Sequence, residues 1–200
     1  SFGCSVSSAG DVNGDGYADV IVGASNYDNG ETNEGAVFIY HGSATGISTT
    51  AAAQVESNQA ASQFGSNIAS AGDVNGDGFS DIMVGATNYD NGETNEGAAF
   101  VYHGSASGLS STVASQLEKN QAHAYFGYSV SSAGDVNGDG YSDVIVGAYN
   151  FDNGQTDEGA AFIYHGSSSG LSTTAATQLE SNQASAYFGC SVSSAGDVNG

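Results

Sequence analysis

Three nine-residue segments hold most of the side chains capable of chemistry. Residues 11–19 read DVNGDGYAD, residues 73–81 read DVNGDGFSD, and residues 135–143 read DVNGDGYSD. A fourth copy opens at Asp197, includes Asn199 and stops at Gly200. Oxygen-bearing side chains fall at positions 1, 3, 5 and 9 of each complete copy. These are Asp11, Asn13, Asp15 and Asp19; Asp73, Asn75, Asp77 and Asp81; and Asp135, Asn137, Asp139 and Asp143. Glycine stands at position 6, where a sharp turn needs a positive φ. Position 7 (Tyr17, Phe79 or Tyr141) can add a main-chain carbonyl. With no thiolate or imidazole in the set, soft metals are disfavoured, and the spacing is that of a short loop wrapping a hard cation in oxygen. Three carboxylates in nine residues repel unless a cation neutralises them. The expectation is one Ca²⁺ per complete repeat, with partial ligands at Asp197 and Asn199. Three such ions would bring the formal charge of −21 to about −15.

The loop departs from an EF-hand, which wants a bidentate Glu at position 12. That position is Val22, Val84 or Val146 here, within an apolar run. The Asp at position 9 must therefore complete the shell, in bidentate fashion if need be. A solvated acidic turn is the alternative for any one copy, since Asn, Asp and Gly are common in turns. Regular recurrence favours the cation.

The elements that must position these loops recur as well. Phe-Gly occurs at Phe2, Phe64, Phe126 and Phe188, and His-Gly-Ser at His41, His103 and His165, always 62 residues apart. The last 14 residues match the first 14 at all but one position, which hints at a higher period of 186. Each repeat reads as four strands. The first lies near residues 4–9 and the second at residues 20–24. The third is residues 36–40, and a polar fourth covers roughly residues 49–56. The second and third are apolar at consecutive positions, so both of their faces must be covered. The fourth carries Gln54 and Glu56 and suits a solvent-facing edge. Small four-stranded antiparallel sheets buried on both faces are the blades of a β-propeller, an all-β architecture with the acidic loop between strands one and two. A β-solenoid is the alternative, although 62 residues is long for one rung. The repeats divide the chain into 1–62, 63–124, 125–186 and a final 187–200. That last piece would hold a first strand and a truncated calcium loop.

Composition narrows the partners. The 200 residues contain 22 Asp or Glu and a single basic residue, Lys119. One lysine cannot build a cationic surface, which excludes nucleic acid and bare anionic membranes. No apolar run approaches the roughly 18–20 residues of a membrane-spanning helix. The chain lacks an initiator Met, a leader and a lipidation motif, and reads as a mature product or a window on a longer protein. Proline is absent and glycine numbers 30, which fits turn-rich β-structure. Cys4 and Cys190 are too few for a disulfide framework and are expected to be small buried thiols.

A second acidic segment, residues 27–35 (YDNGETNEG), recurs at 89–97 and 151–159. It reads as a long hairpin connection with Asn-Gly turn chemistry. A sharper reading lets Asp28, Glu31 or Glu34 meet a cation or ligand at the rim. The three HGS histidines are expected to be structural strand ends, and the Phe-Gly phenylalanines packing anchors between blades. His123 stands where Ala61 and Ser185 stand and reads as surface drift. The hydroxyl-rich segments 43–50, 105–112 and 167–174 could carry O-linked sugars, or serve only as polar edge loops.

Together, Phe2-Gly3, the 11–19 loop, Val22-Gly23-Ala24 and residues 35–40 (GAVFIY) resemble the FG-GAP repeat family, found in integrin α-subunits and many bacterial surface proteins. The resemblance spans the chain, and the near-identity of copies looks more like the bacterial members. It implies that Asp11, Asn13, Asp15, Asp19 and the carbonyl of Tyr17 hold Ca²⁺, with the matching groups of the second and third loops. It further implies an extracellular, secreted or cell-surface location. Family rings have about seven blades. Three are too few to close, so the partners expected are further repeats, other copies in a six-bladed ring, or a fibre. No Ser-His-Asp set, phosphate loop or zinc motif is present, and identical repeats favour structure or multivalent binding over catalysis. The leading reading is a calcium-stabilised structural or adhesive array. The alternatives are a module binding carbohydrate or protein at one rim, and an accessory domain of a surface hydrolase.

Overall fold

The computed structural model describes residues 2–196; Asp197 and Asn199 lie outside the described residues. Among these there is no helix. Twelve strands form three antiparallel four-stranded sheets, each with its strands in sequence order. The first blade comprises β1 (Ser5–Gly10), β2 (Asp19–Ala24), β3 (Ala36–Tyr40) and β4 (Ala53–Glu56). The second comprises β5 (Phe64–Gly72), β6 (Asp81–Ala86), β7 (Ala98–Tyr102) and β8 (Ser115–Leu117). The third comprises β9 (Phe126–Gly134), β10 (Asp143–Ala148), β11 (Ala160–Tyr164) and β12 (Thr177–Glu180). β4, β8 and β12 are edges, as the polar fourth segment of each repeat predicts.

The blades pack face to face, and the burial pattern shows it. Every residue of β6 and β7, the inner strands of the middle blade, is buried. β2 and β3 keep partly open positions, because only one face of the first blade is covered. Two apolar cores result, both lying between blades. One joins Ile21, Val37, Ile39 and Val55 to Phe64, Ile68, Val84 and Phe100. The other joins Met83, Ala99, Val101 and Leu117 to Phe126, Val144, Val146 and Phe162.

The Phe-Gly pair makes the close approach possible. Gly65 adopts φ +80°, and its carbonyl would lie 2.2 Å from a Cβ added at Gly23. Gly85 meets Gly127 in the same way at 2.1 Å. Only glycine at these second-strand positions lets one sheet rest on the turn opening the next. Phe64 and Phe126 are fully buried anchors, and their amides donate to the carbonyls of Glu34 and Glu96. Phe2 and Phe188, at the outer ends, are 63% and 37% exposed. Phe188 makes a lone parallel bridge with Gly159, and residues 189–196 form no strand. β1, β5 and β9 are each held by the following strand of their own blade; residues 187–196 have no such partner among the described residues.

The two cysteines correct the expectation of buried thiols, since both are exposed. Position 4 of each repeat sits beside the Phe-Gly turn, at the margin of the blade. Partial burial pushes the Cys4 thiol up, but hydrogen bonds from Ser25 and Ser5 together bring it below its ordinary range.

Candidate cation loops and the joints between blades

Each acidic loop is launched by a glycine bulge and closed by a strand pair. Gly10, Gly72 and Gly134 all have φ near +75° at the end of the first strand, and each pairs with the position-9 aspartate that opens the second. The loop then coils around its own oxygens. Asp11 Oδ1 accepts from the amides of Gly14 and Asp15, and Oδ2 from Gly16 at 2.8 Å. Asn13 Oδ1 accepts from the Asp15 amide, and Asp15 Oδ1 from the Tyr17 amide, both at 3.0 Å. The second and third loops repeat these contacts through Asp73, Asn75 and Asp77, and through Asp135, Asn137 and Asp139. Amides of Gly140, Gly138 and Asp139 hold the Asp135 carboxyl below the usual carboxylate range.

The position-9 aspartates are different. Asp19, Asp81 and Asp143 are buried, and both oxygens of each are fixed by main-chain amides. Asp19 accepts from Val12 and Gly42, each at 2.9 Å. Asp81 accepts from Val74 and Gly104, and Asp143 from Val136 and Gly166. Burial pushes the Asp81 carboxyl up to about 6, against the pull of the Val74 and Gly104 amides and of His103. These carboxylates tie the loop to the end of the third strand, and each oxygen keeps a further lone pair for a cation.

The sequence expectation therefore brings Asp11, Asn13, Asp15, the residue-17 backbone and Asp19 into one turn, with copies at Phe79 and Tyr141. The donor set is all hard oxygen, which fits a divalent ion such as Ca²⁺. The carboxylates are not drawn together, however: among the described residues no three Asp, Glu, His or Cys side chains form a ready group for a metal ion. In each loop the position-3 amide Nδ2 donates to the position-5 carboxylate, as Asn13 does to Asp15 Oδ2 at 3.0 Å; this amide would turn to present its oxygen.

What sequence reasoning missed is the coupling of the first two loops to the next blade. The Asp11 carbonyl accepts from the Ser80 amide at 2.9 Å, and the Asp11 amide donates to Ser80 Oγ at 3.2 Å. Asp73 and Ser142 repeat both bonds. The Val12 and Val74 carbonyls accept from Ser105 and Ser167, each at 3.0 Å. The rings at loop position 7 lie on the previous loop: a Cβ at Gly14 would sit 2.5 Å from the Phe79 ring, and one at Gly76 the same distance from Tyr141. A signal was present at loop position 8, which is Ala18 in the first copy and serine in the second and third, where Ser80 and Ser142 bond to the loop before them. The HGS histidines join the same joints, with the His41 ring against Gly108 of the next repeat and His103 against Gly170.

Of the second acidic segment, Asp28 and Glu31 are exposed, whereas Glu34, Glu96 and Glu158 are completely buried. A third feature breaks the repeat. Tyr125, Tyr128, Tyr149 and Tyr187 gather at the margin of the third blade. Tyr149 stacks on Tyr125 at 5.3 Å, lies 4.4 Å from Tyr128 and 6.2 Å from Tyr187. Tyr128 and Tyr149 replace Ser66 and Thr87 of the second repeat.

Comparison with known proteins agrees with this architecture. The chain is 34% identical over 152 residues to integrin alpha-4 of Xenopus laevis, 33% over 180 residues to integrin alpha-5 of the same species, and 38% over 160 residues to integrin alpha-V of Gallus gallus. These alignments cover 74%, 86% and 76% of this chain, but only 14%, 17% and 15% of the relatives. The FG-GAP repeat matches three times, at residues 2–40, 64–102 and 126–164, in each case from the Phe-Gly turn through the acidic loop to the end of the third strand. The three sheets are integrin-alpha-like propeller blades, and the chain belongs to the FG-GAP repeat family.

Proposed function

We propose that this chain is a calcium-stabilised stretch of propeller with a structural or adhesive role outside the cell or at its surface. The observation that carries the reading is the double fastening of the first two acidic loops, to their own oxygens and to the following blade through Ser80 and Ser142. A cation held by Asp11, Asn13, Asp15, the Tyr17 carbonyl and Asp19 would stiffen the first joint, and the second loop would do the same for the second. Its chemistry would be electrostatic: it offsets the repulsion of three carboxylates and draws the turn together. Extracellular calcium modules bind at roughly 10⁻⁴–10⁻³ M, which suits the millimolar calcium of that compartment. No helix among the described residues is long and apolar enough to cross a membrane.

Further repeats or other copies of the chain suit the uncovered ends. Beyond Phe188 the third blade presents a cavity of about 400 Å³ lined by Ile145, Ala161, Leu179, Ala186, Cys190 and Val192. Phe2 and Val6 are exposed at the opposite end. These are the surfaces that internal blades use to pack. Near-identical repeats with no unlike catalytic groups set against each other support a non-enzymatic role.

The test is thermal unfolding with chelator and with about 10 mM Ca²⁺. At dissociation constants of 10⁻⁴–10⁻³ M, each occupied site adds about 1.4–2.7 kcal/mol. A rise in Tm is expected, and superimposable melts would overturn the reading. A second reading, recognition of glycan or protein at the rim, is favoured by the tyrosine cluster around Tyr149 alone. A glycan and protein array screen separates the two: ligand binding lost in Tyr128→Ser/Tyr149→Thr supports it, and no ligand leaves the structural role.

A further inference from the structure

The buried glutamates of the second acidic segment are not explained by the packing of the strands or by the acidic loops. Glu34, Glu96 and Glu158 are each 0% exposed. In every copy one carboxylate oxygen is used and the other is not. Glu34 Oε1 accepts from the Asn29 amide at 2.5 Å, Glu158 Oε1 from Asn153 at 2.6 Å, and Glu96 Oε1 from Asn91. Oε2 of all three is buried with no hydrogen-bond partner. A buried polar atom left without a partner costs about 1–3 kcal/mol, more when charged, so native chains rarely keep one. This chain repeats it three times at the same position.

No basic side chain answers it. The only Lys or Arg, Lys119, places its Nζ 4.3 Å from the centre of the Phe162 ring.

A second carboxylate stands beside each. Asn29 Nδ2 donates to both oxygens of Glu56, at 2.9 and 3.1 Å, so one asparagine carries Glu34 on its main chain and Glu56 on its amide. Ser57, next to Glu56, donates to the Glu34 carbonyl at 3.2 Å. The pairs Glu96 and Glu118, and Glu158 and Glu180, are bridged alike by Asn91 and Asn153. Burial pushes the Tyr89 hydroxyl up, and the charges of Glu118 and Glu96 both add to the push, so both carboxylates lie within reach of one tyrosine. Glu56, Glu118 and Glu180 are half-buried, whereas Glu34, Glu96 and Glu158 lie deeper.

We propose that each repeat holds a second hard divalent cation, bound between the orphan Oε2 of Glu34, Glu96 or Glu158 and the carboxylate of Glu56, Glu118 or Glu180. Two carboxylates balance one such ion, whereas a water molecule would leave both charges unopposed. With two carboxylates rather than three, this site is the weaker of the two classes. It does not depend on occupancy of the acidic loops.

The experiment counts ions on the full chain, by calorimetric titration with Ca²⁺ and by native mass spectrometry. About six ions per chain are expected, in two classes. Glu56→Gln/Glu118→Gln/Glu180→Gln, which alters only half-buried residues, should lose about three ions and keep the tighter class. Asp15→Ala/Asp77→Ala/Asp139→Ala should keep the weaker class. A count unchanged by the Glu→Gln triple variant overturns the proposal, whatever the wild-type total. A count unchanged by the Asp→Ala variant counts instead against the acidic loops, so the two failures are separable.

Discussion

Phe2, Phe64 and Phe126 share a position in the repeat but not an environment, so truncating them tests whether stability resides between blades. Phe126 is 0% exposed, with its ring 5.7 Å from Phe162 and 6.3 Å from Tyr164. Burying a phenylalanine removes about 150–200 Å² from water, which at about 25 cal/mol per Å² is roughly 4–5 kcal/mol. Measured Phe→Ala costs in cores, about 3–5 kcal/mol, agree. Phe2 is 63% exposed and rests on Phe38 alone among the aromatics, at 5.4 Å. A little over a third of the burial remains, so Phe2→Ala should cost about 1.4–1.9 kcal/mol. At about 2–4 °C per kcal/mol, Phe126→Ala should lower Tm by roughly 6–20 °C, and Phe2→Ala by a few degrees. Urea melts of the two variants at one calcium concentration provide the measurement. Equal losses, or a larger one for Phe2→Ala, would refute the claim that the cores lie between blades.

Ser142→Ala removes the acceptor for the Asp73 amide and should cost about 0.5–1.5 kcal/mol by urea melt, while Ser43→Ala, on an exposed loop, should stay within about 0.5 kcal/mol. Phe79→Ala uncovers Gly14; it should speed amide hydrogen exchange in residues 11–17, and an unchanged exchange pattern would count against coupling between neighbouring loops. Lys119→Gln removes the cation lying over Phe162 and should destabilise by about 0.5–2 kcal/mol in a thermal melt. Both thiols should react with a disulfide reagent without denaturant, and the rate at Cys4 should level off at a pH below that of a free thiol, because its hydrogen bonds favour the thiolate.

The repeat, the four strands per blade and the position of the acidic loops were legible from residue order alone. Periodicity is a local property, and strands that are apolar at consecutive positions announce two covered faces whatever covers them. Residues 36–40 and 20–24 placed β3 and β2 to within a residue, since their consecutive apolar positions leave no polar face. The fourth strand was expected from residue 49 and begins only at Ala53, because a polar edge carries little pattern to mark its start. The sequence could not tell which of Asp28, Glu31 and Glu34 is buried. All three are acids in one turn, and only packing beneath the following repeat separates Glu34 from the others. Nor could it place Cys4 outside, since a small residue beside a buried Phe-Gly turn reads as core until the blade's margin is known. Ser80, Val12 and the Phe79 ring act across joints between residues 65 to 93 positions apart. Which copy is sandwiched and which is terminal is likewise a matter of neighbours. Local chemistry is written into each repeat, whereas burial and coupling belong to the contact between repeats, and only the tertiary structure contains that contact.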